Sequence, residues 1–388
     1  MDKKNQIASR MQHIQPFYVM DILSRAKQLE AQGHDVIHLE VGEPDFPTPE
    51  KIKLAAIDAI KSDATGYTAA SGIVELKDKI VEYYQQRLNA RVNSCNIVIT
   101  PGASGALQLA LSVLVNRSQN VLMADPGYPC NRHFVRLLEG RAVSIAVDAS
   151  TGYQLTRELI EKNWDKNTAA VLISSPSNPT GTLVAQEEMQ KIIQVVKQRN
   201  GILLVDEIYQ GLVYEQKDFT VAALSSDAFV INSFSKFFSM TGWRLGWMIV
   251  PDEYMESVNR LAQNLFLSAP TISQYAALAA FDKETLNLLD ERRNELKSRR
   301  DFLLKGLLAL GFKVDLIPGG AFYIYANMQR FSDDSFIFCK QLLENSCVAI
   351  TPGIDFGKYR ANQYVRFAYT QNIETLQRAL ERIRQFVS

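Results

Sequence analysis

The chain has 388 residues, 47% of them hydrophobic, and its 42 basic residues are balanced by 42 acidic ones. A sizeable core in two or three domains is therefore expected, at roughly 100–200 residues per domain. The zero net charge and the lack of a long basic block argue against a nucleic-acid partner, and no run approaches the ~18 apolar residues of a membrane-crossing helix. Cys95, Cys130, Cys339 and Cys347 are scattered without C-x-x-C spacing, which predicts free thiols in a reducing compartment. Basic residues stand between Met1 and Lys4, but polar Gln6, Ser9, Arg10 and Gln12 follow where a signal peptide needs an apolar core, so a cytoplasmic location is expected.

In chain order, Asp21 to Glu30 has apolar positions at helical spacing and stops near Gly33. Val36 to Val41 reads as a short strand. The following Gly42-Glu43-Pro44-Asp45-Phe46-Pro47-Thr48-Pro49 excludes regular structure, while Thr48-Pro49-Glu50 reads as an N-cap and first helical turn. From Ile97 onward a unit repeats: a short apolar run, a turn rich in Gly, Pro, Ser or Asn, then a helical stretch. The runs are Ile97–Ile99, Val121–Met123, Ala169–Ile173, Ile202–Val205 and Phe229–Ile231. Continuous apolar strands alternating with helices predict an α/β fold with a mostly parallel central sheet covered by helices. In such sheets ligands sit beyond the carboxyl ends of the strands.

Those ends carry chemistry. Thr100-Pro101-Gly102-Ala103-Ser104-Gly105 is either a plain tight turn or a phosphate cradle at a helix N-terminus, where backbone N–H groups point outward. Asp125-Pro126-Gly127-Tyr128-Pro129 mounts an aromatic ring rigidly. Asn178 lies between Pro176 and Pro179, as an Asx turn or as a presented amide, and Asp206-Glu207-Ile208-Tyr209 offers acid and phenol. An apolar strand ending in Asp-Glu also fits the magnesium-binding strand of nucleoside triphosphatases, but the partner motif G-x-x-x-x-G-K-[ST] is absent.

Lys236 stands among Phe234, Phe237 and Phe238, with Ser233 and Ser235 before it and Arg244 eight residues on. Either it snorkels, with its charge in water, or desolvation among the rings lowers its pKa and frees a nucleophilic amine able to form a Schiff base. The four histidines, His13, His34, His38 and His133, show no H-E-x-x-H spacing, and His34 with His38 reads as incidental, so no metal site is expected. A G-x-S-x-G elbow is also absent. After Pro270 a long helical stretch from Thr271 to Arg300 is expected to link two domains. Phe322–Tyr325, Val348–Ile350 and Tyr364–Tyr369 read as strands of a smaller α+β unit.

Taken together, Gly42-Glu43-Pro44-Asp45-Phe46, Ser177-Asn178-Pro179-Thr180-Gly181, Val205-Asp206-Glu207-Ile208-Tyr209 and Ser233 to Lys236 with Arg244 resemble the class I, fold type I aminotransferases, which bind pyridoxal 5′-phosphate (PLP). The resemblance spans nearly the whole chain and is of the aspartate aminotransferase kind. It implies an N-terminal segment, 1–45, joining the small domain, a large PLP-binding domain, 46–285, and a small C-terminal domain, 286–388. It implies that Lys236 forms the internal aldimine with PLP and shuttles the proton, that Asp206 pairs with the pyridine nitrogen, and that Tyr209 and Asn178 bond the ring's phenolic oxygen. Tyr128 then stacks on the ring, where the archetypal aspartate enzymes carry Trp.

By the same resemblance the phosphate falls to Ala103, Ser104, Ser233, Ser235 and Arg244, and Tyr67 reaches the phosphate of a neighbouring subunit, implying a homodimer with shared sites. Arg366 grips the substrate α-carboxylate, with the Gly42 backbone beside it. Ala103-Ser104 is a less usual phosphate-loop pair for this family, and no position matches its reader of a distal carboxylate. The implied reaction moves an amino group from an L-amino acid to a 2-oxo acid, 2-oxoglutarate by expectation, in ping-pong fashion. A β- or γ-lyase on the same fold is the alternative, since the cofactor carries the hard chemistry. A PLP-binding regulatory domain, which would carry an N-terminal DNA-binding extension, is the remoter one.

Overall fold

The computed structural model describes residues 7–388, so the basic N-terminal residues Met1 to Lys4 and Gln6 lie outside the described residues. The strands are, in chain order, β1 (Ile37–His38), β2 (Ile97–Thr100), β3 (Asn120–Asp125), β4 (Arg141–Ala146), β5 (Thr168–Ser174), β6 (Ile202–Asp206), β7 (Ala228–Ser233), β8 (Gly246–Ile249), β9 (Tyr323–Asn327), β10 (Val348–Ala349), β11 (Thr351–Pro352) and β12 (Tyr364–Ala368). Seven of them form one sheet in the order β2-β8-β7-β6-β5-β3-β4. Only β8 runs against its neighbours β2 and β7; the other pairings are parallel. Helices cover both faces, and every residue of β2 and β7 is buried, which is why these strands read as unbroken apolar runs.

Two strands of that sheet escaped sequence reading. Strand β4 lies at the edge and is mostly solvated, so it lacks the apolar run that marks its neighbours. Strand β8 begins inside the Gly242 to Trp247 stretch, where Gly246 must pass under the helix Gly102–Leu114: a Cβ there would lie 2.9 Å from the Ala103 nitrogen.

The second sheet, β11-β12-β9, is antiparallel, and β1 pairs in parallel with β10. The strand expected over Val36–Val41 is thus shorter. Beyond His38 the chain leaves ladder geometry to bridge two partners, Leu39 donating to the Ala349 carbonyl and accepting from the Ala368 amide. The expected strand Val348–Ile350 divides for the same reason, its first two residues serving β1 before Thr351–Pro352 joins β12.

The helix expected from Thr271 to Arg300 is two helices, Thr271–Leu278 and Lys283–Leu310, separated by a 3₁₀ turn and an extended Asp282. The break lets Phe281 turn into an aromatic cluster with Tyr83, Phe234 and Phe238. Thr48 does not cap the helix Glu50–Lys61. Its hydroxyl donates to the Ser239 carbonyl and accepts from the Trp243 indole, fixing the Gly42–Pro49 loop to the Lys236 turn. The N-terminal helix Tyr18–Ala31 buries Val19, Ile22, Ala26 and Leu29, one face at helical spacing, and Asp355 accepts from the amides of Tyr18 and Val19. No helix among the described residues is long and apolar enough to cross a membrane.

Candidate active site

The parallel strands all end on one edge of the seven-stranded sheet, and a cavity of about 330 Å³ lies there. Tyr128 follows β3, Asn178 follows β5, Asp206 ends β6, and Ser233, Ser235 and Lys236 follow or end β7; all of them line the cavity. Ala103 and Ser104 come from the first turn of the helix Gly102–Leu114, Arg244 from the turn before β8, and Arg366 from β12 of the other sheet. Gly42 completes the set from the N-terminal loop. Tyr67 stands outside it, 85% exposed. A larger, open groove of about 780 Å³, lined by Asp148, Asp315, Lys313 and Arg360 among others, contains none of these residues.

The Lys236 amine donates to the Gly42 carbonyl at 2.8 Å. Burial lowers its pKa to about 8, with Arg366 and Arg244 pushing the same way and Glu43 and Asp206 opposing. The amine lines the cavity with part of its hydration removed. The rings beside it differ from those expected: Tyr209 and Phe322 lie 5.9 and 5.7 Å from the amine. Phe234, Phe237 and Phe238 instead turn into the core, where Phe234 packs on Trp247. Sequence neighbours in a turn diverge in direction, so the desolvating rings come from other elements.

Asp206 is 3% exposed, and burial raises its pKa to about 6 against the Ile208 amide, the Ser174 hydroxyl and the Lys236 charge, which lower it. Its neighbour Glu207 has a structural task, accepting from the Thr220 hydroxyl, the Val221 amide and the Gln210 side chain. Of the two acids only Asp206 lines the cavity.

Arg366 is 4% exposed. Its guanidinium lies 4.1 Å from the centre of the Tyr323 ring and 4.9 Å from that of Phe356. It donates to Asn178 Oδ1 at 2.9 Å and to Thr351 Oγ1 at 3.1 Å. Asn178 is thus no Asx turn; its oxygen orients the arginine, which leaves its NH₂ as the group free to donate. Tyr323, which the sequence marked only as part of a strand, also meets the Tyr209 hydroxyl at 3.0 Å. A Cβ on Gly42 would fall 2.1 Å from the Tyr323 oxygen, so the glycine is needed for this close approach. Also missed were Glu40, Glu43 and Thr241, and Phe17, Val19, Met20 and Leu23 from the N-terminal segment. Glu43 and Thr241 lie inside stretches the sequence singled out, but no local pattern points the side chains of this set at the cavity.

The donor set fits a phosphorylated pyridine aldehyde. The first N–H groups of a helix have no intrahelical partner, and around them stand the hydroxyls of Ser104, Ser233 and Ser235 and the Arg244 guanidinium. Gly102, at φ +73°, admits that guanidinium: a Cβ there would lie 2.9 Å from its Nη2. An amine of lowered pKa and a buried acid complete what such a group requires of its host.

Fold and site define a fold type I, PLP-dependent enzyme. A family profile described as aminotransferase class I and II matches residues 34–383. The chain is 39% identical over 385 residues to (5-formylfuran-3-yl)methyl phosphate transaminase from Methanocaldococcus jannaschii, covering 98% of this chain and 100% of that one. A crystal structure of an aminotransferase from Mycobacterium tuberculosis superposes with a TM-score of 0.94 at 36% identity, over 98% of this chain and 99% of that one. Aspartate aminotransferase from Thermus thermophilus with maleate gives 0.92 at 30% identity, over 98% and 99%. This chain belongs to the class I and II aminotransferase family, and it is an aminotransferase of the aspartate aminotransferase-like kind.

Proposed function

We propose that this aminotransferase moves the amino group of an L-amino acid to a 2-oxo acid, 2-oxoglutarate among them, in two half-reactions of ping-pong form. The observation that supports this is the convergence of the Lys236 amine, the Asp206 carboxylate, the Arg366 guanidinium and the N-terminus of the helix Gly102–Leu114 on one cavity. PLP, when bound, supplies the electron sink for the bond broken at Cα. In our reading Lys236 would hold the cofactor through its amine and would move the proton at the substrate Cα, a task suited to an amine whose pKa lies near 8. With PLP bound, Asp206 would keep its pyridine nitrogen protonated, Tyr209 and Asn178 would bond its phenolic oxygen, and Tyr128 would stack on its ring.

Ala103, Ser104, Ser233, Ser235 and Arg244 hold the phosphate, and Arg366 with the Gly42 backbone receives the α-carboxylate in a planar fork. The 85% exposure of Tyr67 supports a homodimer in which it serves the partner's site. Sedimentation that finds only monomer at micromolar concentration would remove that part. In this reading residues 46–285 form the large cofactor-binding domain and 286–388 the small C-terminal domain, which the N-terminal segment 1–45 joins. The four cysteines are free thiols, which supports a cytoplasmic setting that cell fractionation can test.

The test of the reaction is to add common L-amino acids singly to the PLP-loaded protein and follow absorbance and 2-oxo acid. Conversion of the cofactor to pyridoxamine phosphate, reversed by 2-oxoglutarate, is the expected result. Regeneration of PLP with release of ammonia would overturn transamination.

A further inference from the structure

The carbonyl that seats Arg366 belongs to a residue whose side chain is itself anchored. Glu40 O accepts from Arg366 Nη2 at 2.5 Å and from Thr351 Oγ1 at 3.1 Å. The Glu40 side chain is fully buried: Oε1 meets His38 Nδ1 at 2.7 Å, and Oε2 has no partner among the described residues. The other ring nitrogen of His38 reaches Glu30 on the N-terminal helix at 3.1 Å. His38 pairs by its backbone with Ala349, which brings no charge. Arg366 Nε is likewise buried without a partner.

We propose that His38, held between Glu40 and Glu30, is a positioning residue for Arg366: it neutralises the buried Glu40 carboxylate so that Glu40 seats the arginine by its carbonyl alone and leaves the remaining guanidinium N–H groups, Nε among them, for substrate. This rests on the reading of Arg366 as the carboxylate-binding residue. The hydrogen bond and charge of Glu40, with those of Glu30, outweigh desolvation and raise the His38 pKa to about 9, so the ring is a cation at neutral pH. A buried carboxylate that loses its counter-charge is strongly destabilised and seeks another. The guanidinium on its own carbonyl is then the cation at hand, and a fork held by Glu40 is lost to the substrate.

The test is steady-state kinetics of the PLP-loaded protein with L-glutamate and L-alanine as donors, in the wild-type and Arg366→Lys backgrounds. In the wild-type background His38→Ala should raise KM about tenfold for both donors with kcat within about twofold, the pattern of lost carboxylate binding. His38→Gln, which keeps a hydrogen-bond donor without the charge, should raise it by about threefold, and it carries the test if the alanine variant does not fold. In the Arg366→Lys background neither change should add to KM, because the effect runs through the fork. An unchanged KM for the His38 variants, or the same penalty in both backgrounds, overturns the proposal. If Arg366→Lys alone leaves both KM values unchanged, the reading of Arg366 fails and the proposal falls with it.

Discussion

At the scale of single residues, Lys236 and Asp206 have opposite protonation problems in the same cavity. Burial disfavours charge on both, lowering the amine to about 8 and raising the acid to about 6. If Lys236 is the attachment point, Lys236→Ala should bind PLP without a borohydride-reducible link and lose nearly all turnover. A variant retaining a sizeable fraction of wild-type rate would remove the residue from that role. For Asp206, a protonated ring nitrogen opposite would stabilise the carboxylate and recover part of its burial penalty. Asp206→Asn, nearly isosteric, should fold and bind PLP, with turnover falling by several powers of ten at ~1.4 kcal/mol per tenfold, while Asp206→Glu should keep more activity. Single-turnover kinetics with a Cα-deuterated donor decide it: equal rates of Cα proton loss in Asn and wild type would leave Asp206 a structural acid.

At the scale of elements, the helix Gly102–Leu114 does its work only because its first residue has no side chain. Gly102 sits at φ +73°, and a Cβ would come within 2.9 Å of Arg244 Nη2. Gly102→Ala should therefore cost about 1–2 kcal/mol through left-handed strain and push Arg244 from the helix end. PLP affinity, measured by equilibrium dialysis, should fall on the order of tenfold. Retained affinity with full destabilisation would show that Arg244 does not share the anion with this helix. A second link between elements is Asp125, at the end of β3, which accepts from the amides of Lys358 and Tyr359. It ties the seven-stranded sheet to the turn leading into β12. Asp125→Ala leaves those amides without their acceptor and should destabilise by about 1–3 kcal/mol in denaturant titration.

At the scale of the whole molecule, buried titratable groups predict how stability varies with pH. His38 is raised from 6.5 to about 9, mainly by its bond to Glu40, so its contribution is complete below pH 6.5 and is lost as pH rises through about 9. Glu207 is raised from 4.5 to about 8 by burial, so the native state also holds this proton longer than the unfolded chain. Both make the native state bind more protons between pH 6.5 and 8, and stability there falls as pH rises. The thermal midpoint of the PLP-free protein should accordingly drop from pH 6.5 to 8, and His38→Gln should flatten part of that slope. A midpoint rising across that window in wild type would contradict the balance.

The sequence by itself determined the address of the chemistry. Continuous apolar runs such as Ile202–Val205 need two covered faces, and that forces a parallel sheet whose carboxyl ends meet at one edge. Asp206 follows its run directly, and Tyr128, Asn178 and Lys236 come five residues after theirs, so their convergence was legible from local pattern. What faces them was decided only by the tertiary structure. Tyr323 against Arg366, Phe322 beside Lys236 and Arg366 on the Glu40 carbonyl are pairs brought together across long sequence separations. The same folding turned Phe234, Phe237 and Phe238 away from the amine they flank in sequence. Period and turn chemistry act over a few residues, whereas burial, and with it every pKa in this cavity, depends on which distant surfaces close over a group.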